Sequence, residues 1–373
     1  MNVKILVTGG VGFIGSHVVE LLLEQGHEVV VFDKLVEQVH GDGGPQFLAD
    51  GVEFIQADMM DRAKLAGALR GVEQVVHLAA EVGVGQSMYE IHRYVQANTG
   101  GTALLLDILA NEPHKVSKLV VASSMSIYGE GSYRCEEHGL QAPRLRTEAQ
   151  LKSRSWELQC TLCGQRLVPV PTAETKPLYP TSVYAISKMD QELLCLSVGP
   201  AYGVDVTAVR YFNAYGPRQA LSNPYTGVAA ISSGRLLNGL PPLVDEDGLQ
   251  MRDFIHVTDV ARATVAALTA PKARGKAINV GMGDPISIRE VATLLAETLG
   301  VDIEPEITGQ FRSGDIRHCW ADPTAARDLL GFEPTYRFRD QGVKDLVEWV
   351  RVQTAIDRQS DAIKELQRRG LSV

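Results

Sequence analysis

The chain has 373 residues, which exceeds the usual size of a single hydrophobic core and predicts two lobes. Hydrophobic residues make up 45% and charged residues 22%, as is typical of a soluble globular protein. The formal net charge is -9 and no Lys/Arg-rich run interrupts that acidity, so we expect neither a nucleic-acid partner nor an anionic membrane surface.

The N-terminal sequence MNVKILVTGG enters a strand-like segment directly, and we find no signal-peptide pattern in it. No apolar run is long enough to cross a bilayer, so no membrane partner is expected. The five cysteines are an odd number, which argues against a disulfide framework. The sequence therefore predicts a protein of the reducing cytoplasm.

The N-terminal half alternates short apolar runs with helical patterns, which predicts an α/β fold with a parallel sheet wrapped by helices. The predicted strands are VKILVTG, HEVVVFD, VEFIQAD, QVVHLAA and KLVVASS. One helix is predicted at FIGSHVVELLLEQG and a long one through RYVQANTGGTALLLDILA. This order indicates a Rossmann-type, doubly wound dinucleotide-binding domain, which we assign to residues 1–215.

The later segments do not continue this alternation of predicted strands and helices. Residues 131–177 are polar, carry three of the five cysteines and are interpreted as an insertion. From 216 onward glycine and proline become frequent, which predicts a smaller C-terminal substrate lobe over 216–355, with 250–270 returning to the first domain. Residues 356–373 are predicted to form a C-terminal helical extension.

The segment TGGVGFIG places Gly9, Gly12 and Gly15 between the first strand and the first helix. Glycines there let the backbone turn tightly and let a pyrophosphate approach the helix N-terminus. Asp33 ends the second strand 18 residues beyond Gly15, where a carboxylate binds an adenosine ribose and repels a 2′-phosphate. The pattern favours NAD, although Asp33 is also a plausible turn residue and the adjacent Lys34 keeps NADP open.

Another constellation is SVYAISK, which contains Tyr184 and Lys188. Four residues apart on a helix, they share one face, and an ammonium near a phenol lowers the pKa of the phenol and makes it a usable base. An exposed surface pair is the alternative interpretation. The segment VVASSMSIYG puts Ser123, Ser124 and Ser126 at the C-terminal end of a strand, the edge at which such sheets bind ligands.

The insertion contains RCEEHG and QCTLCG, which give Cys135, His138, Cys160 and Cys163 in the spacing C-x2-H-x21-C-x2-C. Two such knuckles can close a tetrahedral zinc site, structural because it leaves no open position. A polar insertion has little core, and structural zinc supplies on the order of 10 kcal/mol in small peptides. The alternatives are unrelated surface residues or a thioredoxin-like pair, whose βαβ context is missing here.

Taken together, these motifs resemble the extended short-chain dehydrogenase/reductases, in the group of nucleotide-sugar epimerases and dehydratases. The matching segments cover most of the chain: TGGVGFIGSH, HLAA, NTGGT, SSMSIYG, YAISK, RYFNAYGPRQ, MRDFIHVTDVARA, INVGMGD and GDIRHCWADPTAARDLLGFEPTY. The cysteine-bearing insertion is similar to that of the dTDP-L-rhamnose 4-epimerase branch. The resemblance also implies a homodimer, formed through a helix bundle that includes the helix of Tyr184 and Lys188.

The resemblance further implies roles for particular residues. The catalytic residues would be Ser124, Tyr184 and Lys188. The cofactor-binding residues would be Gly9, Gly12, Phe13, Ile14, Gly15, Asp33, Asp58, Met59, Leu78, Ala79, Ala80, Asn98, Tyr184 and Lys188, with Asp58 near the adenine or, alternatively, capping a helix. The substrate-binding residues would be Ser124, Ser126, Asn213, Arg252 and Arg312, the last three at the diphosphate of a nucleotide sugar. Either arginine could instead be an ordinary surface residue.

The three residues between Ser124 and the Tyr128-Gly129 pair distinguish between the reactions of the family. Relatives that eliminate water or decarboxylate generally carry an acidic residue there, whereas this chain has Met125, Ser126 and Ile127. The resemblance therefore implies an NAD-dependent 4-epimerase of a dTDP- or UDP-hexose, which oxidises C4 transiently and reduces it again on the other face. A 4-ketoreductase or dehydrogenase is the close alternative, and an NAD-binding sensor without turnover is a remote one.

Overall fold

A computed structural model describes residues 2–41, 44–312 and 314–372. The strands are β1 Lys4–Thr8, β2 Glu28–Asp33, β3 Glu53–Gln56, β4 Gln74–His77, β5 Lys118–Ser124, β6 Ser132–Cys135, β7 Gly139–Gln141, β8 Val168–Val170, β9 Asp205–Tyr211, β10 Asn213–Tyr215, β11 Leu243–Val244, β12 Met251–His256, β13 Lys276–Val280, β14 Pro285–Ser287, β15 Glu306–Ile307 and β16 His318–Cys319. The α-helices are α1 Phe13–Glu24, α2 Glu37–His40, α3 Arg62–Ala68, α4 Val84–Ser87, α5 Ile91–Tyr94, α6 Gly101–Asn111, α7 Glu148–Lys152, α8 Val183–Ala201, α9 Val228–Leu237, α10 Val257–Thr269, α11 Ile288–Leu299, α12 Val343–Val350 and α13 Gln359–Arg368. Short π-helical segments span Val95–Gly100, Ala326–Leu330 and Phe338–Gly342, and 3₁₀ turns span Met125–Tyr128 and Pro271–Ala273.

The large sheet runs in the order β13-β9-β5-β4-β1-β2-β3, and all of its pairings are parallel. Helices cover both faces, which explains why its central strands are continuous apolar runs rather than alternating ones. The strand order reverses between β1 and β4, so a crevice opens there at the carboxyl ends of the strands. The predicted Rossmann-type α/β fold is confirmed.

The five predicted strands of the large sheet are present, but the sheet continues through β9 and β13, which the sequence reading missed. The predicted long helix is also interrupted. It consists of α5, a π-helical turn over Val95–Gly100 and α6. A π-helical turn commonly marks a functional position, and this one carries Asn98. Its side chain accepts from Glu81 N at 2.7 Å and donates to Ser187 Oγ on α8 at 2.9 Å.

The C-terminal part of the chain builds a second sheet from β10, β12, β14 and β16. An apolar core with Tyr215, Phe254 and Phe338 at its centre packs this sheet against α9, α11 and α12. The segment predicted to return to the first domain, 250–270, is divided: β12 lies in the second sheet, whereas α10 packs on α1. The return continues beyond 270, because β13 forms an edge of the large sheet.

The insertion forms a separate three-stranded antiparallel sheet in the order β7-β6-β8, and among the described residues none of these strands pairs with the large sheet. Its own apolar cluster is small and consists mainly of Tyr133, Leu158, Leu167 and the cysteines.

Near the C-terminus, α13 forms the predicted helical extension. Among the helices of the described residues, none combines the length and apolarity that crossing a membrane requires.

Candidate active site

A cavity of about 380 Å³ lies at the carboxyl edge of the large sheet, between the glycine-rich turn and the chain that follows β9. Both lobes contribute to its wall. Most of the residues predicted from the sequence line it: Gly9, Gly12, Phe13, Ile14, Gly15, Asp33, Asp58, Met59, Leu78, Ala79, Ala80, Ser124, Tyr184, Lys188 and Asn213. Asn98, Ser126, Arg252 and Arg312 are not part of this lining.

The glycine-rich turn leaves a cradle beneath the N-terminus of α1. Gly9 adopts φ 72°, and a Cβ there would lie 2.8 Å from the backbone nitrogen of Ala79. A Cβ on Gly15 would overlap the carbonyl oxygen of Gly9. Only glycine fits either position, because the backbone of the turn packs against itself and against the chain after β4. Such a tight turn lets a pyrophosphate approach the N-terminus of the following helix. The turn therefore fits a dinucleotide.

Charged residues follow β2 and β3 at the far end of the cavity. Asp33 is buried and accepts from Val11 N at 3.2 Å and from Leu35 N at 3.0 Å. Lys34 Nζ lies 3.1 Å from a carboxylate oxygen of Asp58 and 3.8 Å from one of Glu81, so its charge is balanced within the protein. A 2′-phosphate would have to compete with these carboxylates, which favours NAD over NADP.

Asp58 does not cap α3. The N-cap of that helix is Asp61, whose side chain accepts from Lys64 N at 3.1 Å. Asp58 instead accepts from Met60 N at 2.9 Å and faces the cavity. The alternative that Asp58 caps the helix is therefore wrong, since Asp61 is the cap. The position of Asp58 near the adenine stays a prediction.

The helix α8 brings Tyr184 and Lys188 to the cavity wall opposite the end of β5. Ser182 begins this helix, and its hydroxyl accepts from Ala185 N at 3.1 Å. Burial raises the pKa of Tyr184, and a hydrogen bond with Ser124 opposes that rise. Burial also lowers the pKa of Lys188 to about 7. Burial thus dominates at Tyr184, whose pKa is raised in this structure, whereas the sequence predicted that Lys188 would lower it.

A buried hydrogen-bond chain holds Lys188, and the sequence reading missed it. Lys188 Nζ donates to Gln191 Oε1 at 2.7 Å, and Gln191 Nε2 donates to Thr102 Oγ1 at 2.8 Å. His77 bonds the same threonine at 2.9 Å and Thr8 at 2.7 Å, and burial lowers its pKa to about 3. A neutral histidine and an amide thus orient the lysine without adding a countercharge. His77 lies in HLAA, and Lys188 and Gln191 lie in SKMDQE. Nothing in the spacing of these segments predicts that they meet.

Three buried oxygens in the cavity wall lack a hydrogen-bond partner among the described residues. They are Ser123 Oγ, Asn213 Oδ1 and Gln219 Oε1. A buried polar atom without a partner costs about 1–3 kcal/mol, so such atoms point to a polar ligand that completes them. Asn213 was predicted at the diphosphate, whereas Gln219 in RYFNAYGPRQ was not singled out.

The two predicted diphosphate arginines lie away from the cavity lining. Arg252 donates to the carbonyl oxygens of Met251, Ile316 and Arg317 at 2.7–2.9 Å. Arg312 Nε pairs with Asp315 at 2.9 Å. Their guanidinium groups are thus engaged by the protein, and their role at a phosphate stays a prediction. Ser126 donates from its hydroxyl to Ser124 Oγ at 2.9 Å and so contacts the catalytic candidate directly.

The four residues of the two knuckles meet in the insertion. The ligand atoms of Cys135, His138, Cys160 and Cys163 all lie within 4.8 Å of one another. Cys135 Sγ is 3.5 Å from His138 Nδ1 and 3.6 Å from Cys163 Sγ, and Cys160 Sγ is 3.7 Å from the same nitrogen. A tetrahedral zinc ion would separate two sulfurs by about 3.8 Å and a sulfur from a nitrogen by about 3.6 Å. The cysteines are free thiols, so the cluster has the geometry and chemistry of a closed metal site.

The cavity has a dinucleotide cradle, a serine, a tyrosine and a lysine in its lining, and a second lobe over the carboxyl edge. These features define a Rossmann-fold enzyme of the NAD-binding class. Within that class, the chain belongs to the NAD dependent epimerase/dehydratase family, which matches residues 5–148 and 163–281. The interval between the two matched segments, 149–162, falls inside the insertion, and the second segment begins at Cys163.

Individual relatives span nearly the whole chain. A dTDP-L-rhamnose 4-epimerase from Burkholderia thailandensis is 34% identical over 350 residues, covering 93% of this chain and 94% of that protein. The Thermotoga maritima UDP-glucose 4-epimerase, solved with UDP-glucose, superimposes with a TM-score of 0.76 at 31% identity, over 93% of this chain and 98% of the other. The Thermus thermophilus UDP-glucose 4-epimerase, solved with NAD, gives 0.73 at 31% identity, over 94% and 100%.

Proposed function

We propose that this protein is an NAD-dependent nucleotide-sugar 4-epimerase. The observation that carries the proposal is the cavity itself, in which Ser124, Tyr184 and Lys188 face the glycine-rich cradle. The turn after β5 holds no carboxylate, so the residue that would assist elimination of water or carbon dioxide is missing from Met125–Tyr128. The epimerases of dTDP-L-rhamnose and UDP-glucose among the relatives support the same reaction.

The proposed substrate is a nucleoside diphosphate hexose. We favour dTDP-L-rhamnose because the similar Burkholderia thailandensis protein acts on it, and UDP-hexoses follow because the similar solved enzymes use them. The oxygens of Asn213 and Gln219 are positioned to accept from hydroxyl or base N–H groups of such a ligand. The close alternative is a 4-ketoreductase or dehydrogenase, since it would use the same three residues.

The proposed cofactor is NAD, held by the glycine-rich turn at its pyrophosphate and by Asp33 at its adenosine ribose. When bound, its nicotinamide accepts a hydride from the sugar carbon and returns it. The protein supplies the proton chemistry. Tyr184 removes the proton of the C4 hydroxyl as its phenolate and later returns it to the oxygen of the 4-keto sugar. Ser124 donates a hydrogen bond to that oxygen. Lys188, one helical turn from Tyr184 and held by Gln191, would when protonated stabilise the phenolate.

The proposal is tested by incubating the purified enzyme with catalytic NAD and, separately, dTDP-L-rhamnose, dTDP-glucose, UDP-glucose and UDP-glucuronate. Proton NMR identifies the products, and absorbance at the NADH band follows the cofactor. A C4 epimer without net NADH is expected for one of these sugars. Stoichiometric NADH would establish a dehydrogenase instead, and turnover that requires NADH with a 4-keto sugar would establish a ketoreductase.

We also propose that the Cys135, His138, Cys160 and Cys163 cluster holds a structural zinc ion that stabilises the insertion. The near-tetrahedral spacing of the ligand atoms supports this, and so does the small apolar cluster of the insertion. Backbone N–H groups of Cys163 and Leu162 lower the pKa of Cys160, which favours the thiolate that binds a metal.

Replacing Cys160 by serine is therefore expected to remove the bound zinc and to lower the melting temperature of the enzyme, since structural zinc contributes on the order of 10 kcal/mol in isolated peptides. Elemental analysis measures the zinc, and calorimetry measures the melting temperature. Cys319→Ser is the matched control, because Cys319 is a buried thiol outside the cluster and its loss should leave the metal content unchanged. Protein purified without chelators that contains less than about a tenth of an equivalent of zinc would contradict the proposal.

We further propose a homodimer. The π-helical turn and α8 expose Val95, Ile186 and Leu193 by 42%, 44% and 47% on neighbouring elements, and a second copy would bury them. Leu193→Glu is expected to give a monomer by light scattering, whereas Leu240→Glu, at an exposed leucine after α9, should not change the mass. A wild-type chain that runs as a monomer at micromolar concentration would contradict the homodimer.

The free thiols and the proposed nucleotide-sugar substrate support a cytoplasmic location, and we propose neither a nucleic-acid nor a membrane partner.

A further inference from the structure

The chain after α12 crosses the second lobe before α13 begins. Asn238 Nδ2 donates to the carbonyl of Ala355 at 2.9 Å, and Ser222 Oγ accepts from Ile356 N at 3.0 Å. Asp357 pairs with the buried Arg235 on α9 at 2.8 Å. These contacts fix the start of the C-terminal segment, residues 355–372, on the lobe that covers the cavity.

The helix α13 then packs on the loop that follows β4 in the large sheet. Leu366 is buried and lies against Gly85, where even a Cβ would come within 3.4 Å of its side chain. The Arg369 guanidinium lies over the ring of Tyr89 at 4.3 Å. The segment therefore contacts both sides of the cleft, through α9 on one side and residues 82–90 on the other.

Tyr225 stands between these two sides and lines the cavity. Its hydroxyl is hydrogen-bonded to that of Tyr89 at 2.5 Å, and Tyr89 is the residue that Arg369 covers. The Cβ of Tyr225 packs over Gly83, which has φ +146°, and a Cβ at Gly83 would come within 3.0 Å of it. The wall of the cavity at 223–228 is thus held against the loop after β4 through a pair of tyrosines that α13 supports.

The end of the segment reaches the strand-like stretch before Asp315. Gln367 Nε2 donates to Gln310 Oε1 at 3.4 Å, and Ser372 forms an isolated bridge with Arg312. By contrast, no hydrogen bond that the described residues make joins 355–372 to the glycine-rich turn or to Asp33. The segment thus contacts the second lobe and residues 82–90, but it makes no hydrogen bond to the two motifs that would hold the pyrophosphate and the adenosine ribose of the dinucleotide.

We propose that residues 355–372 form a clasp that fixes the Tyr225 wall of the cavity and thereby sets the affinity for the nucleotide sugar, but not for the dinucleotide. The identity of the sugar nucleotide rests on the proposed function. Tyr225 is a positioning residue or a direct contact of the sugar nucleotide, and Leu366 and Arg369 act on it through Tyr89 and Gly85. Closing a wall in this way supplies the orientation on which turnover depends.

The test compares full-length Leu366→Ala and Arg369→Ala with the wild type by hydrogen–deuterium exchange. Faster exchange is expected at 82–90 and 220–228 as well as at 355–372, because local opening of the clasp frees both sides. Lys364→Ala is the matched control: its side chain is 76% exposed on the same helix and contacts Asp361 alone among the described residues. Exchange that changes only within 355–372 would overturn the proposal.

Measurements of binding and turnover test the sugar end and the dinucleotide end of the cavity separately. For Arg369→Ala we expect the KM for the sugar substrate, or the Kd for UDP-glucose if none is turned over, to rise roughly tenfold. The Kd for NAD should change by less than about twofold. A parallel loss of NAD affinity would show a general destabilisation and would overturn the clasp. If the enzyme epimerises no sugar at all, the proposed function fails, while the exchange data still decide the clasp. Asp357→Asn, at the opposite anchor, gives a second variant should Leu366→Ala fold poorly.

Discussion

Tyr184→Phe is expected to lower kcat for epimerisation by about 10²–10⁴-fold, the usual contribution of a general acid–base residue. Phenylalanine keeps the ring of the half-buried tyrosine and its edge-on contact with Tyr94, so the fold and NAD binding should persist. It removes only the oxygen that bonds Ser124 and that is proposed to exchange a proton with the sugar O4. The measurement is the rate of C4 inversion by proton NMR, with the Kd for NAD as a check on the cavity.

The matched control is Tyr202→Phe. Tyr202 ends the same helix and is exposed, so the same chemical change there should leave kcat within about twofold of the wild type. A Tyr184→Phe enzyme with more than about a tenth of the wild-type kcat would remove Tyr184 from the proton transfer. If the protein is an NAD-binding sensor without turnover, the wild type and both variants would all show no C4 inversion.

Arg317→Met is expected to destabilise the protein by about 3–5 kcal/mol, the cost of breaking a buried ion pair by removing one partner. The Arg317 side chain is 0% exposed and binds Glu157 at 2.8 Å, Glu246 at 2.9 Å and Asp247 at 2.7 Å. Methionine fills part of the space but leaves three carboxylates facing one another. The change is measured as the free energy of unfolding in urea and as the melting temperature.

Arg327→Met provides the control, because Arg327 is exposed and its one ion pair within the described part of the chain is with Asp328, a contact worth about 0–1 kcal/mol. A loss below about 1 kcal/mol in Arg317→Met would mean that the network contributes little beyond its packing. Glu157 belongs to the insertion, whereas Glu246 and Arg317 belong to the second lobe. We therefore expect the insertion to lose protection from proteolysis in Arg317→Met even if the zinc remains bound.

Local signals in the sequence predicted the parts of the site that depend on short-range geometry. The glycine-rich turn, the strand end at Asp33 and the four-residue spacing of Tyr184 and Lys188 each require only neighbouring residues to agree. The grouping of the cysteines and His138 was predicted over a longer interval because metal ligands recur at fixed spacings.

The features that the sequence reading missed depend on residues far apart in the chain. Strands β9 and β13 are separated by about 65 residues, and the pairing of Gln191 with Thr102 joins two helices. No period or motif encodes such contacts, because burial and partner choice are decided only when the elements pack. The pKa of Tyr184 has the same origin: its direction follows from desolvation, which spacing on a helix does not reveal.

The position of β13 has a consequence for how the chain is made. It covers the edge of β9, yet about 65 residues lie between the end of one strand and the start of the other. At ribosomal rates of roughly 5–20 residues per second, the uncovered edge of β9 persists for about 3–13 s during synthesis. An unpaired strand edge invites pairing with another chain. A nascent chain halted between β9 and β13 should therefore be the stage at which this protein depends most on chaperones.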